Sequence, residues 1–136
     1  MPNPPMPEDV AELFRRPNPA VMATVAADGR PVSVATWYLV EDDGRVLLGL
    51  DAGRARLEHL RRDGRVALTA LAEGDWYTHV SVQGRVVSVE DDEGLAGIDR
   101  LSRHYTGREY PNRESPRVLV HVEVTRWHGW GAASQG

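Results

Sequence analysis

The chain has 136 residues, the size of one ordinary domain, and its lack of cysteine excludes disulfides, thiolate metal sites and a thiol nucleophile. All 16 basic residues are arginine, so neither Schiff-base lysine chemistry nor a P-loop nucleotide site can be built. A formal charge of −4 with a pI near 5.7 speaks against a nucleic-acid partner, and no apolar run reaches the roughly 18 residues of a membrane span.

With no basic-then-apolar leader in its first residues, the expected location is cytoplasmic, without nucleic-acid or membrane partners. Residues 1–7 (MPNPPMP) read as a flexible proline-rich lead, residues 8–131 as a single domain, and residues 132–136 as a tail. From Glu8 to Arg16 the apolar Val10, Leu13 and Phe14 share one side, with acids first and arginines last, which predicts a short amphipathic helix stopped by Pro17. Residues 20–26 and 31–40 are β-branched runs on either side of Asp28-Gly29, the residue types of a tight hairpin turn. The Asp42-Asp43-Gly44 turn leads to a strand over 45–50, so the expectation is a three-strand antiparallel meander.

A weakly amphipathic helix is expected over 54–63, ended by Gly64, and a fourth strand over RVALTALA. The run 76–89 is long for one strand, and Gly84 within it suits a bulge where a curved sheet turns a corner. The DDE run at 91–93 reads as acidic charge at the start of a third helix, which lines up Leu95, Ile98, Leu101 and Tyr105. An arginine- and proline-rich surface loop (106–116) then precedes a strand over 117–127. Alternation there sets Val118, Val120, Val122 and Val124 against Leu119, His121, Glu123 and Thr125. Six strands joined mostly without helical crossovers make a small, mainly β, antiparallel barrel with short flanking helices.

Chemistry-bearing motifs are few. The histidines at 59, 79, 104, 121 and 128 form neither H-x-H nor HExxH, no G-x-S-x-G elbow exists, and no metal is expected. His121 reads as a half-buried strand residue. One local conflict stands out after Gly49-Leu50-Asp51-Ala52-Gly53. Arg54 and Arg56 sit at a helix start, where the macrodipole disfavours cations. A bound phosphate resolves the conflict, held by helix-start N–H groups and guanidinium forks beside permissive glycines; two solvated arginines tolerate it instead. His59 and Arg61 either reach the same ligand or are solvated. Trp37-Tyr38, Trp76-Tyr77, Trp127 and Trp130 fall near strand ends, as pocket rims, core plugs or a dimer interface.

The order of helix, VMATVAADGRPVSVATWYLV, strand, RARLEHLRRDGRVAL and WYTHVSVQGRVVSV resembles the pyridoxamine 5′-phosphate oxidase-like split β-barrel family from about residue 8 to residue 131. Within it, the chain looks most like the deazaflavin (coenzyme F420)-dependent reductases, on the motifs T-x-x-x-D-G-R-P and R-A-R-x-x-x-L-R-R-D. The resemblance implies a six-stranded antiparallel split β-barrel and a homodimer with the cofactor at the subunit interface. It implies that Arg54 and Arg56 hold the cofactor phosphate, and that Val34, Ala35, Thr36 and Trp37 back the tricyclic ring. The activity implied is hydride transfer from reduced F420 to an unsaturated small molecule of enone, quinone or tetrapyrrole type. Trp76 would stack the acceptor, and Tyr38, His79 or water would supply the proton. The alternatives are an FMN-binding flavoprotein and a non-catalytic carrier of F420 or a tetrapyrrole. Two departures matter. Arginine stands at position 56, where many relatives carry lysine, and the chain ends WHGWGAASQG without the arginine-rich motif of true pyridoxamine phosphate oxidases, whose activity is therefore not expected.

Overall fold

The computed structural model describes residues 1–133. Helix α1 (Glu8–Arg15) leads into β1 (Ala20–Val25), β2 (Pro31–Thr36), β3 (Leu39–Val40) and β4 (Val46–Asp51). Helix α2 (Ala55–Arg62) is followed by β5 (Arg65–Ala72) and β6 (Asp75–Asp91), and α3 (Ala96–Thr106) by β7 (Arg117–Trp130). The architecture is mainly β: one antiparallel sheet in the order β2-β1-β5-β6-β7-β4-β3, split rather than closed.

Seven strands replace the expected six because the run 31–40 breaks at Trp37-Tyr38. Its first part pairs with β1 and its last two residues with β4, so the expected three-strand meander is two hairpins joined by a link. The two edges of the sheet, β2 and β3, are therefore neighbours in sequence, and the link crosses the split between them. Burial of one side chain forces the break. Tyr38 turns inward against Phe14, with ring centroids 5.0 Å apart. Its hydroxyl donates to the Phe14 carbonyl at 2.6 Å and accepts from Asn18 Nδ2 at 2.9 Å, which ties the end of α1 to the link.

The sheet turns its corner along β6 and β7. Gly84 lies at a register shift, and a Cβ there would stand 2.4 Å from the Glu123 carbonyl oxygen, so only glycine lets the two backbones approach. Gln83 pairs with Arg126 and Gly84 with Val124, leaving Thr125 as an extra residue on β7. The alternation that buries Val118, Val120 and Val122 thereby reverses phase, and Trp127 points into the core rather than at a rim. The core lies between the sheet and the helices. It joins Val10 and Phe14 of α1 and Leu57 and Leu60 of α2 to Met22, Leu48, Leu50, Leu68, Val80 and Val120. Each such side chain contributes about 1.5–3 kcal/mol relative to exposure.

Both the first residues and the last described ones are engaged with this sheet. The Met1, Pro2 and Asn3 carbonyls accept from Arg126 Nη1, Trp127 N and Trp127 Nε1, laying the lead along β7. Ala133 is buried at the other end, and residues 134–136 of the expected tail lie outside the described residues. Among the described residues no helix is long and apolar enough to cross a membrane.

Candidate functional site

Strand β4 ends at Asp51, and the chain turns through Ala52-Gly53 into α2. The Asp51 carboxylate accepts from Gly53 N at 3.2 Å, which shapes this turn. The cap position of α2 falls on Arg54, which has no acceptor to offer, so no side chain satisfies the first N–H groups of the helix. Arg54 is exposed and Arg56 half-buried, with Nη1 of the latter 3.6 Å from the Met22 sulfur. Burial first, then the charges of Arg54 and Arg117, push the Arg56 guanidinium below its ordinary pKa.

Arg117 reaches the same place from the first residue of β7. Its Nη2 donates to the Gly49 carbonyl at 3.3 Å, and its guanidinium carbon lies 4.8 Å from the Tyr110 ring centre. Its Nε is buried without a hydrogen-bond partner. Among the described residues eight arginines make ion pairs; Arg54, Arg56 and Arg117 are among the eight that make none, and they are the three that line one groove. Three unpaired cations, an uncapped helix start and an orphaned N–H together suit an anion.

An aromatic wall completes the site. Trp37, on the link between the sheet edges, stacks on Tyr105 at 5.3 Å and 11° and meets the Tyr110 edge at 6.1 Å. The Tyr105 hydroxyl donates to the Asn18 carbonyl at 2.7 Å, and burial pushes its pKa up to about 12. Tyr110 is held by the buried Asp99, whose Oδ1 accepts from Tyr110 N at 3.0 Å and Arg113 Nη1 at 2.6 Å. Three cations, the aromatics and two acids, Asp51 and Glu73, line this groove of about 720 Å³, within the size range of small-molecule sites. A separate groove of about 640 Å³ lies between the lead and the β3–β4 turn. It is rich in acids, and its Arg15 and Arg45 are already paired, so it offers an anionic ligand nothing.

The structure brings together Ala35, Thr36, Trp37, Arg54 and Arg56 from the residues singled out in the sequence. It leaves six others out of this groove. Val34 is on the neighbouring surface of β2, and Arg61 is exposed farther along α2. His59 turns its Nδ1 to the buried Thr24 hydroxyl at 2.9 Å. Tyr38 is enclosed in the core, and burial raises its pKa far above the ordinary tyrosine value, which takes it away from any substrate. His79 holds its Nδ1 3.0 Å from the Tyr77 carbonyl. Trp76, 70% exposed, leans on Tyr77 where a register shift leaves three residues of β6 unpaired with β5. Sequence reading passed over Arg117, Tyr105 and Tyr110. Arg117 was hidden at the head of a strand read for its valines, and Tyr110 inside a loop. Among the described residues, no His, Asp or Glu cluster is placed to hold a metal ion.

Residues 6–131 match the sequence pattern described as pyridoxamine 5′-phosphate oxidase. The chain belongs to the pyridoxamine 5′-phosphate oxidase family. This is an oxidoreductase family whose cofactors are of the flavin type. The fold is shared with an F420 reductase, 26% identical with a TM-score of 0.81 over 90% of this chain and 98% of that one. A conserved hypothetical protein from Mycobacterium tuberculosis (23% identity, TM-score 0.73, covering 94% and 86%) has the same fold. So does General Stress Protein 26 from Bacillus anthracis (17%, 0.68, 90% and 92%). No curated protein matches the chain. For a family that binds flavin-type cofactors, the groove fits on chemical grounds: unpaired guanidinium groups for a phosphate, and aromatic and small residues for a planar ring.

Proposed function

We propose that this member of the family is a homodimeric F420-dependent reductase, which passes a hydride from reduced deazaflavin to an enone, quinone or tetrapyrrole-type acceptor. The observation that carries the reading is the set of unpaired arginines beside an aromatic wall, in a fold shared with an F420 reductase. The deazaflavin supplies the hydride; the protein's part is binding, orientation and exclusion. Arg54 and Arg56 hold the phosphate at the start of α2, and Ala35, Thr36 and Trp37 back the ring along the end of β2. Trp37 is itself locked by Tyr105, so the ring meets a rigid surface.

Anion formation at the acceptor requires a proton. The Tyr38 and Tyr105 hydroxyls already donate to backbone carbonyls and His79 does not line the groove, so the proton comes from water entering the open groove. The second subunit covers the face of β1, β5 and β6 on which Val21 is exposed among small residues, and so brings Trp76 to the site edge.

The test is titration of the purified protein with F420 and with FMN, followed by fluorescence. Anaerobic mixing of the reduced cofactor with a panel of acceptors follows. Tight F420 binding with protein-dependent reoxidation supports the reductase. Binding of FMN alone replaces the cofactor, and F420 binding without turnover by any acceptor makes the protein a carrier.

A further inference from the structure

Arg117 is mounted differently from the other two groove arginines. Arg54 and Arg56 ride on the first turn of a short helix, whereas the backbone of Arg117 is fixed in β7, directly opposite Asp51 of β4. A cation facing an acid across two strands ordinarily makes a cross-strand ion pair. Here the pair is not made: the Asp51 carboxylate is used by the Gly53 N–H, and Arg117 turns to the Gly49 carbonyl and the Tyr110 ring. The side chain is thus positioned on two sides and still keeps a buried Nε without an acceptor. A fixed guanidinium with unused donors, in a groove with two further unpaired arginines, is preorganised for an anionic group.

We propose that Arg117 is a third ligand-binding cation, and that it makes the groove selective for ligands whose anionic part carries two negative charges. Three guanidinium groups hold a doubly charged group better than a singly charged one, because each charge-assisted hydrogen bond strengthens with the charge on its acceptor. Either a phosphate monoester dianion, as on FMN, or a phosphodiester with a neighbouring carboxylate, as on F420, supplies the double charge. The influence of Arg117 on the Arg56 guanidinium agrees with the three cations being near enough to share one ligand. This inference rests on the cofactor reading only for where the ligand lies.

The experiment measures binding of FMN, riboflavin, F420 and the dephosphorylated deazaflavin by wild type, Arg117→Gln and Arg117→Lys. Arg117→Gln should weaken FMN or F420 about tenfold to a hundredfold and leave the uncharged riboflavin and deazaflavin unchanged, with Arg117→Lys recovering part of the loss. Wild-type affinity for FMN should fall as pH drops through about 6, where the monoester loses its second charge, and Arg117→Gln should flatten that profile. Equal losses for charged and uncharged ligands, or no loss, overturn the proposal. Wild type alone provides a check that needs no variant: the singly charged methyl ester of FMN should bind at least about tenfold more weakly than FMN. Equal affinity for the two overturns the proposal. Should neither cofactor bind, the cofactor reading fails by itself. Inorganic pyrophosphate then decides the role of Arg117, supported by binding that Arg117→Gln abolishes and overturned by no binding.

Discussion

Arg54 and Arg56 occupy a helix start that no side chain caps, and neither has an acid to neutralise it. Charge-assisted hydrogen bonds contribute about 1.5–3 kcal/mol each, so the Arg54→Ala, Arg56→Ala double variant should lose several kcal/mol of cofactor affinity by fluorescence titration. The fold should persist, because α2 is held by the buried Leu57 and Leu60 and not by its arginines. Unchanged affinity would return both residues to the solvated surface. Tyr38 is expected to behave in the opposite way. Removing its hydroxyl leaves the Phe14 carbonyl without that donor and Asn18 without one acceptor, so Tyr38→Phe should lower unfolding stability by about 1–3 kcal/mol in urea. Turnover with any acceptor should be unaffected. A large fall in kcat with unchanged stability would restore Tyr38 as a proton donor.

Elements, rather than single residues, set the shape of the groove. The loop that carries Tyr110 is fastened to α3 by Asp99. The hydrogen bond from Arg113 holds this carboxyl below its ordinary 3.8, against the opposing effect of burial and with help from the Tyr110 N–H. A carboxylate with a lowered folded pKa adds stability that is fully present above the unfolded value and lost as pH falls through the folded one. The loop 107–116 should therefore stay fastened at neutral pH and loosen in acid below the usual aspartate range, read as faster hydrogen exchange at the Tyr110 amide. Asp99→Asn should show that loosening at pH 7 and lose the acid dependence. At the other end of the sheet, Gly84→Ala would drive a methyl into the Glu123 carbonyl and the Val122 side chain. Such overpacking costs about 1–3 kcal/mol, which thermal unfolding would register; an unshifted Tm would mean that β6 and β7 can separate without cost.

At the scale of the molecule, the sheet is asymmetric in what covers it. Leu57 and Leu60 of α2 pack on the face of β1 that carries Met22 and Thr24, while the opposite face shows Val21 at 40% exposure, beside the groove. Trp76, Tyr77 and Trp130 stand exposed at 70%, 58% and 46% near the ends of β6 and β7. Apolar surface of this kind marks an interface more often than open water. The protein should therefore sediment as a dimer at micromolar concentration. Trp76→Ala should alter acceptor affinity more than cofactor affinity if the partner brings Trp76 to the site. A stable monomer would remove the shared cofactor groove from the functional reading.

The sequence by itself determined the order of the elements other than the split of the run 31–40, the turn positions, the bulge at Gly84 and the two arginines at the start of α2. Each rests on local chemistry: alternation, positive-φ turn residues, a glycine inside a strand, charge opposed to a helix dipole. Tertiary structure alone decided that the run 31–40 would break at Trp37-Tyr38, because that break answers to Phe14 and Asn18 in the core and not to its neighbours in sequence. It also decided the phase reversal at Thr125, which depends on the register of a partner strand. Arg117 was illegible for the same reason. Its meaning comes from Gly49, Tyr110 and Arg56, and only the sheet and loop bring those four together.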